Sequence, residues 1–85
     1  MEIIISKKAL EHIEYWKKTN NLKIQQRIIE LKNAILLDPF KGIGKPEPLK
    51  HKLSVKWSRR IDKEHRFVYA IENNTLHVLS LKGHY

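Results

Sequence analysis

His65-Arg66-Phe67-Val68-Tyr69-Ala70-Ile71-Glu72-Asn73-Asn74-Thr75-Leu76-His77-Val78-Leu79-Ser80-Leu81-Lys82 is the stretch on which the fold turns. Residues 65–71 are rich in aromatic and β-branched side chains. Simple alternation puts Phe67, Tyr69 and Ile71 on one face and Arg66, Val68 and Ala70 on the other, the pattern of a strand. Asn73-Asn74 follows, and asparagine tolerates the positive φ that a tight hairpin demands. Residues 76–82 then read as the returning strand. Upstream, Leu53, Val55, Trp57 and Ile61 alternate with Ser54, Lys56, Ser58 and Arg60, and Asp62-Lys63-Glu64 forms a turn. The C-terminal half is therefore expected to be a three-stranded meander.

Residues 38–52 have a different texture, with Pro39, Gly42, Gly44, Pro46 and Pro48 among Lys41, Lys45, Lys50 and His51. Such a run cannot be regular helix or central strand and is expected to be a long surface loop. Before it, Ile24, Ile28, Leu31 and Ile35 make the apolar stripe of an amphipathic helix, widened by Ile29 and Leu36. Asp38-Pro39 stops that helix, because a residue preceding proline is pushed out of helical space. Asn20-Asn21 separates it from an earlier helix bearing Leu10, Ile13 and Trp16, for which Ser6 is the expected N-cap. Ile3, Ile4 and Ile5 read as a short buried strand. The order is strand, two helices, loop and meander: an α+β chain with its helices packed on one sheet face.

At 85 residues the expectation is a single domain spanning residues 1–85. Hydrophobic residues at 41% and charged residues at 31% exclude a disordered chain. With no cysteine, disulfide scaffolds and cysteine-built zinc sites are excluded, and a reducing cytoplasm is the expected compartment. No apolar stretch approaches the ~20 residues of a membrane span, and the N-terminus lacks the layout of a signal peptide. Seventeen Lys and Arg against nine Asp and Glu leave a net charge of +8, which attracts a polyanion.

The sequence has no phosphate-binding glycine loop, no HExxH and no cysteine nucleophile, and its histidines are too scattered for a metal-ligand spacing. What remains is carboxylate, histidine and arginine on a basic surface. Together these suit metal-free RNA cleavage: a base on the ribose 2′-OH, an acid on the leaving 5′-oxygen, and a cation on the phosphorane.

Three blocks carry a resemblance. Gly42-Ile43-Gly44-Lys45 with Pro46-Glu47-Pro48-Leu49-Lys50-His51 is similar to the GxGKPEPLKH segment of the YoeB (Txe) toxins. Trp57-Ser58-Arg59-Arg60-Ile61, Glu64-His65-Arg66 and Val68-Tyr69 resemble that family's WSRRI…EHRLVY block. Gly83-His84-Tyr85 ends in the family's closing His-Tyr, and the likeness spans essentially the whole chain. It implies a RelE-like fold, with an N-terminal strand and two helices on a mainly antiparallel sheet of four to five strands. It also implies an mRNA endonuclease of the ribosomal A site that needs no metal or cofactor and is neutralised by a YefM-like antitoxin. By the same resemblance Glu47 would be the general base, Arg66 the phosphate stabiliser, His84 the general acid, and Tyr85 the residue that orients the nucleotide. Lys50, His51 and Arg60 are further candidates for phosphate contact. A homodimer is left open. The sequence departs from the family at Lys82-Gly83, where glycine is expected to loosen the approach to His84.

Each of these residues also has a plainer reading. A glutamate between two prolines is ordinarily a solvated loop charge, and Arg66 at a strand start a surface cation whose stem covers apolar surface. Residues at a chain end ordinarily fray. His12, His65 and His77 are assigned to structure or surface, and Trp16, Trp57, Phe67 and Tyr69 to the core. Lys7-Lys8 and Lys17-Lys18 suit either solvated helix faces or ribosomal RNA phosphates. Two rival functions stand beside cleavage: a non-cleaving ParE-type toxin acting on gyrase, and a small basic nucleic-acid-binding module.

Overall fold

A computed structural model of the chain describes residues 1–49 and 55–83. Five strands and two helices follow in the order β1 (Glu2–Ile5), α1 (Lys7–Lys18), α2 (Leu22–Leu37), β2 (Glu47–Leu49), β3 (Lys56–Arg60), β4 (Arg66–Glu72) and β5 (Thr75–Ser80). The sheet order is β1-β5-β4-β3-β2, antiparallel except where β1 runs parallel to β5. The Asn73-Asn74 hairpin forms as expected, with φ of 52° and 56°.

Ser6 caps α1 by accepting the Ala9 N–H at 3.0 Å, while its own hydroxyl donates to Leu79 O at 3.1 Å. Asn21 caps α2 by accepting the Ile24 N–H at 3.1 Å. Asn20, at φ 54°, supplies the left-handed residue between the helices. Ala9, Trp16, Ile24, Leu31 and Ile35 join Phe67, Tyr69, Leu76, Val78 and Leu81 in one core between helices and sheet.

Three expectations need correction. The isoleucines of β1 are not buried: Ile3, Ile4 and Ile5 are 39%, 54% and 36% exposed, because β1 is an edge strand flanked only by β5. Leu10 is half exposed and Ala9 takes its place on the inner face of α1, in step with Ile13 and Trp16. The loop after α2 is not all loop. Glu47–Leu49 forms a fifth, edge strand that pairs Glu47 with Ser58, Pro48 with Trp57 and Leu49 with Lys56. Proline is admissible there because an edge strand has one side free of ladder bonds.

Among the described residues, the largest fully buried side chain is a cation, Arg59. Its Nη2 donates to Asp38 O at 2.6 Å and to Lys41 O at 3.1 Å, and its Nη1 to Ile43 O at 3.2 Å. Its Nε donates to the Tyr69 hydroxyl at 3.2 Å, and that hydroxyl in turn donates to Pro39 O at 2.6 Å. The loop between α2 and β2 is thus wrapped around one guanidinium, carbonyls inward. Gly42 and Gly44 follow from this packing. A β carbon at Gly42 would stand 3.1 Å from Arg59 Nη1; one at Gly44 would stand 2.7 Å from Leu31 Cδ2. Both also have positive φ, 127° and 85°.

Arg59→Met is expected to lower the unfolding free energy by at least ~3 kcal/mol, since each buried carbonyl left unpaired costs ~1–3 kcal/mol. Urea titration measures the loss, and the midpoint of thermal unfolding should fall by roughly 15 °C. An Arg59→Met variant as stable as the parent would mean the guanidinium does not hold the loop.

Candidate active site

The register of β2, β3 and β4 sorts their side chains into two faces. Partners across a ladder share a face, and the next residue along each strand takes the other. Pro48, Trp57, Arg59, Phe67, Tyr69 and Ile71 lie on the helix side. Glu47, Lys56, Ser58, Arg60, Arg66 and Val68 lie on the opposite side. Glu47 pairs with Ser58, Ser58 with Val68, and Arg60 with Arg66. One carboxylate-bearing and two guanidinium-bearing residues therefore share the sheet face turned away from the helices, within two residues of one another along β3 and across it.

Glu47 is exposed at the start of β2. Its position is set from behind, because the Arg60 N–H donates to Gly44 O at 2.6 Å and so ties the loop to β3 just ahead of β2. Arg66 is half-buried at the start of β4. Its Nη1 donates to Asp62 O at 2.9 Å, His65 O at 3.2 Å and Lys63 O at 3.4 Å. All three bonds use the same amino group, which orients the guanidinium and, among the described residues, leaves its other edge unengaged.

The bend feeding Arg66 is held by Asp62, whose Oδ1 accepts the N–H groups of His65 at 2.7 Å and Glu64 at 2.9 Å. Partial burial pushes the Asp62 carboxyl up. Those two amides, with His65 and Arg66 nearby, outweigh it and bring its pKa below the ordinary value. Burial pushes the Tyr69 phenol up, with Arg59 opposing, so Tyr69 remains a neutral donor in the latch.

Arg60 directly opposite Arg66 is a like-charge pair on neighbouring strands, an arrangement that disfavours folding. A protein that keeps two cations so placed has a site suited to an anion carrying several acceptor oxygens, as a phosphate does.

Of the residues singled out in the sequence, Glu47, Arg60 and Arg66 are brought together. Lys50, His51, His84 and Tyr85 lie outside the described residues. Trp16, Phe67 and Tyr69 are core, as expected; Trp57 is half-buried, its ring 5.0 Å from that of Phe40. Gly83 is less loose than expected: its N–H donates to His65 Nδ1 at 2.8 Å and its carbonyl accepts the Arg66 N–H at 3.1 Å. The sequence reading missed Arg59, although the alternation Trp57, Arg59, Ile61 already placed it on the apolar face.

The family model of the YoeB-like toxin of bacterial type II toxin–antitoxin systems matches residues 5–85. The chain belongs to this family. Toxin YoeB of Escherichia coli K12 is 44% identical over 85 residues, covering 100% of both chains. The YoeB dimer from Staphylococcus aureus superposes with a TM-score of 0.91 at 40% identity, over 100% of this chain and 98% of that one. The heterotetrameric YoeB-YefM complex of the same organism gives a TM-score of 0.87 at 40% identity and the same coverage. Likeness of fold alone extends to archaeal RelE bound to RelB from Pyrococcus horikoshii, at 15% identity and a TM-score of 0.73 over 96% of this chain and 92% of that one. The five-stranded sheet with two helices is thus the RelE-like fold of the YoeB family. No helix among the described residues is long and apolar enough to cross a membrane.

Arg60→Gln separates stability from binding. Relief of the like-charge pair should leave the unfolding free energy unchanged or raise it by up to ~0.5 kcal/mol. Affinity for a single-stranded RNA oligonucleotide should fall, and the slope of log affinity against log salt should flatten by about one. Denaturant titration and a salt series of binding isotherms check the two halves.

Proposed function

We propose that residues 1–85 act as one toxin domain, a cytoplasmic endoribonuclease that cuts mRNA in the ribosomal A site and so stops translation. The observation that carries this is the placing of Glu47, Arg60 and Arg66 on one sheet face, turned away from the helices, in a YoeB-family chain. A carboxylate beside paired cations can take a proton from a ribose 2′-OH while the charge that develops on phosphorus is compensated.

In this reading Glu47 removes the 2′-OH proton and the 2′-oxygen attacks the adjacent phosphorus. Arg66, oriented through its Nη1 bonds, faces the pentacovalent phosphorane with its remaining donors. His84 gives a proton to the departing 5′-oxygen, and Tyr85 orients the nucleotide. The products are a 2′,3′-cyclic phosphate and a 5′-hydroxyl end, so proton and leaving group balance. Lys50, His51 and Arg60 supply phosphate contacts that hold the message.

The YefM-like antitoxin is the proposed partner, as in the S. aureus complex. An apolar groove of about 230 Å³ supports this, with Ile3, Ile5, Ile28 and Ile29 in its lining beside Lys17 and Lys32. Such a groove suits an amphipathic acidic segment, and the edge strand β1 stands beside it. A homodimer is also proposed, by likeness to the S. aureus YoeB dimer.

Toeprinting of a defined mRNA on purified bacterial ribosomes tests the reading. Wild type should cut within the A-site codon, leaving a cyclic phosphate end. Glu47→Gln, Arg66→Gln and His84→Ala should each cut at least ~100-fold more slowly while remaining folded. Three variants with wild-type cleavage would remove the assignment. An intact message, from folded protein that still arrests growth, would point to a non-cleaving toxin on the same fold.

A further inference from the structure

Past Ser80 the chain leaves β5, yet the amides of Leu81 and Gly83 are met by side chains. The Leu81 N–H donates to Nδ1 of His12 at 3.0 Å, and the Gly83 N–H donates to Nδ1 of His65 at 2.8 Å. The carbonyls of the same two residues are held as well. Leu81 O accepts the indole N–H of Trp16 at 3.0 Å, and Gly83 O accepts the Arg66 N–H at 3.1 Å. Trp16 joins the two halves, since its ring meets the His65 imidazole edge-on at 4.8 Å.

We propose that His12 and His65 are positioning residues that clasp the C-terminal segment through their Nδ1 atoms, and that protonation of either imidazole opens the clasp. The role for the reaction rests on the reading of His84, the residue next after Gly83, as the general acid.

Donor and acceptor count sets the protonation state that the clasp needs. A neutral imidazole has one acceptor nitrogen, and here both acceptors face main-chain N–H groups, so the ring proton of each histidine sits on Nε2. An imidazolium has none. Protonation would set N–H against N–H at Leu81 and Gly83, turning two attractive contacts into repulsive ones.

Charged groups of both signs stand near the two rings. His12 is surrounded by Lys8 and Lys82, with Glu11 and His65 near, and its pKa is lowered, chiefly by burial and then by the two lysines. His65 has Asp62 and Arg66 beside it, and its Nε2 lies 3.9 Å from Glu64 Oε2. For His12 the linkage is direct. Its folded pKa is depressed, so the unfolded chain binds more protons, and its stabilising contribution is full above the unfolded value of about 6.5 and is lost as pH falls through the lower folded value.

The protein's histidines are thereby set against one another. The acid at His84 must carry a proton to work, whereas His12 and His65 must lack one to hold the segment that presents it. Cleavage therefore falls on the acid side for a reason other than titration of a catalytic group.

Asparagine provides the test, because its Oδ1 can accept where Nδ1 does and does not titrate in this range. Amide exchange at Leu81 and Gly83, corrected for intrinsic rates, is followed by NMR from pH 7.5 to 5.5 in wild type, His12→Asn, His65→Asn and the alanine variants. In wild type each amide should exchange at least ~10-fold faster, relative to amides of β4, once its own histidine is protonated, as followed by the imidazole ring signals in the same samples and as expected for a lost hydrogen bond. Each asparagine variant should cancel the acceleration at its own amide, and each alanine variant should show fast exchange at both ends of the range. Ribosomal cleavage should track this: reduced ~10-fold by alanine at pH 7.5, restored by asparagine, with a flatter acid limb in the double asparagine variant. Equal corrected exchange in wild type before and after protonation of the two imidazoles would overturn the clasp, as would the same acid response in the asparagine variants. Exchange that responds as described, in a protein that never cuts mRNA on ribosomes, would overturn the nuclease reading and the positioning role, leaving the clasp as a structural device.

Discussion

The fold depends on one buried cation. Arg59 has no carboxylate within ion-pair distance among the described residues. Its charge is met by three main-chain carbonyls and the Tyr69 hydroxyl. Burial of a charge is tolerable only when its donors are satisfied, so the loop must present those carbonyls inward. A loop so committed cannot drift, and the edge strand that follows inherits its position. The route from sequence to site runs through this contact: two glycines let the backbone close on the guanidinium, the closed loop delivers β2 to β3, and β2 carries Glu47.

The register gives the two arginines of Arg59-Arg60 opposite tasks. Being adjacent in a strand, they point to opposite faces. Arg59 points into the core and organises the loop. Arg60 points out beside Arg66 and Glu47. The inner residue contributes to stability, whereas the outer one works against it through its like-charged neighbour. That division explains how a small chain with a thin margin of stability can hold an electrostatically strained face.

Much of this was legible in the sequence because it follows from short-range rules. The α2 stripe of Ile24, Ile28, Leu31 and Ile35, the Ser6 cap, the Asn73-Asn74 turn and the alternation in β4 are local signals, and each holds, although Ile29, expected to widen that stripe, is half exposed. Failures came where tertiary position decides. Three successive isoleucines have the same propensity in an edge strand as in a central one, so Ile3–Ile5 could not disclose their exposure. Glu47–Leu49 is a strand only because β3 offers a free edge, and two prolines concealed it. Glu47 and Arg66 came from family likeness, and the structure adds their shared face with Arg60. Arg59 is the instructive miss: an arginine at an apolar position in an alternating strand is an anomaly, and anomalies of that kind point to buried hydrogen bonding. The acceptor roles of His12 and His65 had no sequence signal, since Leu81 and Gly83 lie far along the chain from His12.

The parallel pairing of β1 with β5 has a consequence for how the chain comes into being. Residues 2–5 are synthesised long before their partners at 75–78. Until β5 exists, β1 has no neighbour in the sheet, and the hydrogen bond from Ser6 Oγ to Leu79 O spans 73 positions of sequence. Contacts so distant close late in folding. A ribosome making this polypeptide therefore holds an unfinished sheet until β5 has emerged. With the proposed activity, the machine that builds the toxin is spared while it builds.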